Sequence, residues 1–243
     1  MRRLLLLSNS TDHARGYLDH AMREIVAFLG PVRRLAFVPF ALHDRSGYTA
    51  RVRARFEAEG VAVDGVTPDQ AGRDTIERAE AVFVGGGNTF RLLDLLQRSG
   101  LVEVLRRRAL AGLPYLGASA GTNVAAPTIK TTNDMPIVQP ASFDALGLVP
   151  FQINPHYFDP DPASTHMGET REQRIAEFLE ENPTPVLGLR EGSWIEVEGR
   201  RGRLGGRRPA RLFRRGQAPV EIEPGDALDE LLAGGPGTTG TSA

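Results

Sequence analysis

The sequence predicts an α/β fold, a mostly parallel sheet with helices on both faces, and three observations carry that prediction. Short, largely apolar runs recur through the first half, at Leu4–Leu7, Arg34–Phe40, Ala81–Val84 and around Tyr115. Such runs suit strands covered on both faces. Stretches with helical spacing alternate with them, which is the pattern of a parallel sheet. Two glycine-rich turns, Gly85-Gly86-Gly87 and Gly117-Ala-Ser119-Ala-Gly121, stand at the ends of two of these runs. Open parallel sheets place their sites at such strand ends.

The elements follow in order. Leu4–Leu7 is the first strand, closed by the polar Ser8-Asn9-Ser10. Tyr17, Leu18, Met22, Ile25, Val26 and Leu29 recur at helical spacing until Gly30-Pro31 stops them. Arg34–Phe40 is the second strand, and Tyr48–Gly60 a helix with Val52 and Phe56 inward. Val61–Val66 is the third strand, and a short helix spans Asp69–Ala79. Ala81–Val84 is the fourth strand. The leucine-rich stretch from Leu92 to Leu105 is helical with a break near Ser99-Gly100. After the strand at Tyr115 the pattern loosens. Thr131–Pro136 reads as a polar loop, and Leu146–Pro150 and Phe151–Asn154 as strands. A helix follows Gly168-Glu-Thr-Arg171, and Val186–Leu189 and Trp194–Val197 are further strands. An edge hairpin is expected after Gly205-Gly206. Residues 1–233 read as one domain, and 234–243, poor in apolar residues, as a disordered tail.

Composition narrows the partners. The chain has 243 residues, 41% hydrophobic and 24% charged, with a formal net charge of −1. That balance gives no electrostatic case for nucleic acid or an anionic membrane as partner. With no cysteine, disulfides, thiolate metal sites and a cysteine nucleophile are excluded. The opening Arg-Arg and four-leucine run is too short for a signal-peptide core, and no stretch has the length of a membrane span. A cytoplasmic location is expected.

The chemistry centres on Ser119. Strand, Gly-x-Ser-x-Gly turn and small-residue helix form the layout of a nucleophile elbow. A serine hydroxyl needs a base, the base needs an orienting acid, and the tetrahedral oxyanion needs donors. For the oxyanion the backbone amides of Ala120 and Gly86 are candidates. Of the five histidines, His156 follows a strand and comes after the nucleophile in the chain; His20 sits in a helical run and His166 in a loop. Asp134 and Glu191 both lie in polar loops, and either could accept from His156. The Gly85 turn lacks the Lys-Ser/Thr of a phosphate-binding loop and does not continue as a dinucleotide fingerprint. There is no His-Glu-x-x-His, and the histidines are not paired at ligand spacing. No metal and no cofactor are expected.

These residues resemble the peptidase E, or α-aspartyl dipeptidase, family of serine peptidases. The resemblance rests on Gly85-Gly-Gly-Asn-Thr-Phe90, Gly117-Ala-Ser-Ala-Gly-Thr-Asn123, Thr131-Thr-Asn-Asp-Met-Pro-Ile137, Ile153-Asn-Pro-His-Tyr157, Gly168-Glu-Thr-Arg-Glu172 and Glu191-Gly-Ser-Trp194. It runs from the first strand to about Val197. It implies a three-layer sandwich like the class I glutamine amidotransferases, monomeric or homodimeric, that hydrolyses dipeptides with an N-terminal aspartate. It carries the nucleophile onto Ser119 and the base onto His156, and the third member onto Asp134, with Glu191 in reserve. An aspartyl substrate is an anion, so its pocket should hold a cation. Arg171 at a helix start suits this, and Asn88 and Thr89 could contact substrate from the glycine-rich turn. Two other readings stay open: a related hydrolase resembling cyanophycinase that acts on β-aspartyl peptides, and a catalytically silent binding protein on the same fold.

Overall fold

The computed structural model describes residues 1–160 and 168–234. The expected tail from residue 235 onward and His166 lie outside the described residues. In chain order the elements are β1 (Arg3–Leu7), α1 (Met22–Leu29), β2 (Arg34–Val38), α2 (Arg45–Glu57), β3 (Ala62–Gly65), α3 (Gln70–Arg78), β4 (Ala81–Val84), α4 (Thr89–Arg98), α5 (Leu101–Leu110), β5 (Tyr115–Ala118) and α6 (Ala120–Asn123). They continue as β6 (Gln152–Tyr157), α7 (Arg171–Glu181), β7 (Val186–Arg190), β8 (Ser193–Glu198), β9 (Arg201–Gly206), β10 (Ala210–Phe213), β11 (Val220–Ile222) and α8 (Asp229–Leu232).

Seven strands form one sheet in the order β3-β2-β4-β5-β1-β8-β9. The five from β3 to β1 are parallel, and β8 and β9 run antiparallel at the other edge. Alternation along each inner strand feeds two cores. Leu4, Leu6, Val82, Val84 and Tyr115 face one layer, while Leu5, Leu7, Ala81, Phe83 and Leu116 face the other. This explains why the strands are continuous apolar runs: a strand with helices on both sides has no wet face. The helices end as their sequences dictate. Asp69 caps α3 by accepting from the Gly72 amide, Asn88 caps α4, and Thr170 and Gln173 form a capping box at α7.

A second sheet, in the order β11-β10-β7-β6, stands apart from the first. Sequence periodicity does not reveal this division, because β6 and β7 are largely buried and parallel to each other just like central strands. Two expectations change. The apolar run Leu146–Pro150 is no strand. Its amides bond to carbonyls of residues 124–126 at the end of α6, so it is buried without joining a ladder. The first helix begins at Met22 rather than Tyr17, because Leu18 has φ of 62° and so leaves the helical region.

The second sheet is pinned by Arg190, whose side chain is 9% exposed. All five guanidinium N–H groups are used. Nε and Nη2 grip Asp159 at 2.9 and 2.7 Å. Nη1 and Nη2 bond Glu221 at 2.7 and 3.1 Å, and Nη1 also reaches the Pro209 carbonyl at 2.8 Å. The guanidinium holds the carboxyls of Asp159 and Glu221 below the usual carboxylate range, chiefly through these hydrogen bonds. Groups depressed on folding contribute stability that is present above their unfolded values, about 4, and is lost as pH falls through the lower folded values. The urea midpoint should therefore drop as pH is lowered below about 4. Arg190→Gln should lower the midpoint at neutral pH and flatten its acid dependence, both read by urea titration across pH.

Candidate active site

Ser119 joins β5 to α6, and its backbone lies at φ 54° and ψ −111°. A non-glycine residue in that region is strained and persists only where its surroundings impose it. Here they are close-packed. A Cβ on Gly117 would stand 2.6 Å from the Gly121 carbonyl oxygen, and one on Gly121 would overlap the carbonyl of Val84. Both positions need hydrogen in place of a side chain, so that the start of α6 can lie directly on β4 and β5. The buried Tyr115 hydroxyl adds a bond to the Gly121 carbonyl at 2.6 Å. From the neighbouring strand, the Leu7 carbonyl accepts from the Ser119 amide at 3.1 Å and from the Thr122 hydroxyl at 2.6 Å.

His156 sits at a bulge where β6 meets β7, with φ 55°. Its Nε2 lies 2.9 Å from Ser119 Oγ. On the other side, its Nδ1 lies 2.6 Å from Oε1 of Glu191, in the turn between β7 and β8. Serine, imidazole and carboxylate are thus in line: the geometry by which a serine hydroxyl loses its proton to a base oriented by an acid. Asp134, the acid preferred from the sequence, does not meet His156 in this structure. Its Oδ2 instead accepts from the Thr89 amide at 2.7 Å and the Thr132 hydroxyl at 3.2 Å. The reason is the path of its loop. Thr131 and Asn123 bond the Ile153 carbonyl, Asn154 bonds the Thr131 carbonyl, and Asn133 bonds the Pro155 carbonyl. These ties lay the loop along β6 and carry Asp134 to the start of α4.

Beside Ser119 lies a cavity of about 230 Å³, lined by Thr89, Ser119, Ala120, Asn123, Thr132, Asn133, Asp134, Pro155, His156 and Arg171. Two larger clefts, about 490 Å³ each, flank β3 and hold no serine–histidine pair. Arg171, at the first position of α7, stacks on the Phe158 ring at 5.1 Å. Its Nε is buried without a hydrogen-bond partner among the described residues. Burial pushes its pKa below the ordinary arginine range, with the carboxylate of Asp134 acting the other way. One cation and one anion thus share a small cavity.

Thr89 reaches this cavity, buried at its wall. Asn88 does not line it: its side chain accepts from the Arg91 amide and donates to the Met135 carbonyl, so it caps a helix and ties down a loop. Gly86 lies directly behind the nucleophile, where a Cβ would come within 2.9 Å of Ser119 Cβ. Its N–H also faces the Tyr48 hydroxyl. Asn123 was missed from the sequence. It lines the cavity; its Nδ2 donates to the Ile153 carbonyl, and its Oδ1 is buried without a hydrogen-bond partner among the described residues. The only sequence signal was an amide side chain in an otherwise small-residue helix start. Among the described residues no three His, Asp or Glu side chains are placed to share a metal ion.

The model of peptidase family S51 matches residues 4–205. The chain is 63% identical over 229 residues to "Peptidase E" of Streptomyces coelicolor, covering 94% of both proteins. It is 47% identical over 234 residues to a Drosophila melanogaster protein named "Probable alpha-aspartyl dipeptidase", covering 95% of this chain and 98% of that one. Among solved structures, a peptidase from an acI-B1 Actinobacterium superposes with a TM-score of 0.69 at 15% identity, over 93% of this chain and 96% of the other. At that identity the likeness concerns the fold.

The geometry separates the two carboxylates by experiment. Glu191→Gln should lower kcat by on the order of 10²- to 10⁴-fold with KM little changed, as when a triad imidazole loses its orienting acid. Asp134→Asn should act mainly through KM. Steady-state kinetics on one dipeptide decides, and a large kcat loss confined to Asp134→Asn would reverse the assignment.

Proposed function

The chain belongs to peptidase family S51, and on that premise we propose that it is a serine exopeptidase that hydrolyses dipeptides with an N-terminal aspartate through an acyl-enzyme. The observation that carries this reading is the line from Ser119 Oγ through the His156 ring to Glu191, at 2.9 and 2.6 Å. The strand–Ser119–helix turn acts as a nucleophile elbow, on a three-layer fold of the class I glutamine amidotransferase type. The strained φ at Ser119 and the close glycine contacts around it support that view.

Ser119 Oγ attacks the scissile carbonyl while its proton passes to His156 Nε2. The imidazolium, held by Glu191 through Nδ1–H, then gives that proton to the leaving amine as the C–N bond breaks. Water, deprotonated by the same imidazole, hydrolyses the aspartyl ester and returns Ser119 to its starting form. The Ala120 amide, first of its helix and so without a helical partner, donates to the tetrahedral oxyanion. The Gly86 amide, which faces the Tyr48 hydroxyl in the free protein, exchanges that partner for the oxyanion as the second donor.

The cavity suits an aspartyl residue by charge. Arg171 receives the side-chain carboxylate, and its guanidinium can do so with two parallel hydrogen bonds. Asp134, which lines the same cavity, faces the α-ammonium. An arginine and a carboxylate lining one small cavity read both charges of the substrate. A blocked amine or a longer acidic side chain would leave one of them unpaired, which costs far more than a lost apolar contact.

Purified protein should therefore cleave Asp-Leu and leave Glu-Leu and N-acetyl-Asp-Leu intact. Ser119→Ala should abolish turnover, with a loss on the order of 10⁶-fold. Arg171→Met should lower kcat/KM for Asp-Leu by about 10²-fold or more. Hydrolysis followed by amine release measures all three, and full activity in Ser119→Ala would sink the mechanism.

A further inference from the structure

The base and the acid of the proposed triad are poorly held by their own side chains. His156 and Glu191 are 41% and 48% exposed, so packing does not set their rotamers, and their placement depends on the main chain beneath them. That main chain is irregular at His156. The β6–β7 register runs from Pro155 opposite Leu189 to Tyr157 opposite Arg190, leaving His156 as the extra residue. A bulge of this kind re-aims a side chain and takes a backbone group out of the ladder. Here the group is the His156 N–H, on a residue with φ 55°.

One hydroxyl repairs the gap. Ser8, just past the end of β1, accepts from the His156 N–H at 2.9 Å through Oγ and donates through the same atom to the Leu189 carbonyl at 2.7 Å. Its own amide bonds the Ser193 carbonyl at 3.0 Å. Ser8 is fully buried, so water does not reach the bulge to replace that hydroxyl. The next residue does similar work for the acid: Asn9 Oδ1 accepts from the Gly192 amide at 2.9 Å, beside Glu191.

We propose that Ser8 is a positioning residue of this active site, which holds the His156 imidazole on Ser119 by bridging the two strands of the bulge. Without the hydroxyl, the His156 N–H and the Leu189 carbonyl lose a partner in a dry place. The backbone recovers hydrogen bonds by relaxing φ of His156 toward the ordinary region, and that rotation swings the ring away from Ser119. The inference rests on the triad reading above. It adds a residue that touches neither substrate nor reacting atoms.

The test is Ser8→Ala in the full chain, with two readouts beside the melting temperature: kcat and KM on Asp-Leu, and the rate at which a small fluorophosphonate labels Ser119. The expected result is a folded protein in which kcat and the labelling rate both fall by about 10- to 100-fold, the scale of a misplacement near 1 Å, while KM stays within about twofold. A folded Ser8→Ala that keeps both rates, or that loses activity through KM alone, overturns the proposal. If Ser8→Ala does not fold, Ser8→Cys keeps the shape with a weak donor and acceptor, and the same two results decide. Ser119→Ala is run in parallel. Activity surviving there removes the triad itself, an outcome distinct from an active Ser8 variant beside an inactive Ser119→Ala.

Discussion

The end of β1 is the point on which the proposed active site depends. Three consecutive residues there touch the three segments that bring serine, histidine and glutamate together. The Leu7 carbonyl takes the Ser119 amide and the Thr122 hydroxyl, Ser8 Oγ takes the His156 amide, and Asn9 Oδ1 takes the Gly192 amide. β1 can do this because it lies between β5, which leads to Ser119, and β8, which follows Glu191. The strand end also abuts the second sheet, and the Ser8 hydroxyl spans the junction to Leu189. Two sheets that share no ladder among the described residues are thus tied by hydrogen bonds at the catalytic end.

Both residues of the Ser119–His156 pair are backbone-strained. Four non-glycine residues among those described have positive φ, and two of them are Ser119 and His156. Each such residue costs on the order of 1–3 kcal/mol and persists only when the surroundings over-determine it. At Ser119 the surroundings are glycine contacts too tight for any side chain. At His156 they are a bulge and a buried hydroxyl. Beyond them, the Arg190 clamp grips Asp159, three residues after the base, from the position just before the acid. A rigid support for half-exposed catalytic groups is consistent with catalysis by orientation rather than by burial.

The pocket follows a different logic. Its polar lining is fixed by amide and hydroxyl side chains bonded to β6, which lets a loop without regular structure stay in one place. Thr131, Asn133 and Asn154 serve that purpose. Among the described residues the Arg171 Nε is buried without a partner, and the Asp134 carboxylate lines the same cavity. A buried polar nitrogen without a partner is costly, and an anion bound at Arg171, as proposed, would offset that cost.

Much of this was readable from residues alone. Continuous apolar runs had to be two-sided strands, because no one-faced strand lacks a polar alternation. Gly117 and Gly121 around Ser119 marked a strand-to-helix turn too tight for side chains, and His156 was singled out by its strand-end position. What could not be read was distance between loops far apart in sequence. Asp134 and Glu191 are both loop carboxylates following the nucleophile, and no local rule ranks them. What separates them is the bulge that turns His156 toward the β7–β8 turn, and the side-chain hydrogen bonds that carry Asp134 to Thr89. Likewise nothing local distinguished Asn88 as a cap from Asn88 as a ligand, or split β6 and β7 into a second sheet. Local chemistry determined which residues could act and where the strands would form; only the tertiary structure decided which groups meet, because hydrogen-bond geometry between distant segments is set by sheet order and register, not by sequence spacing.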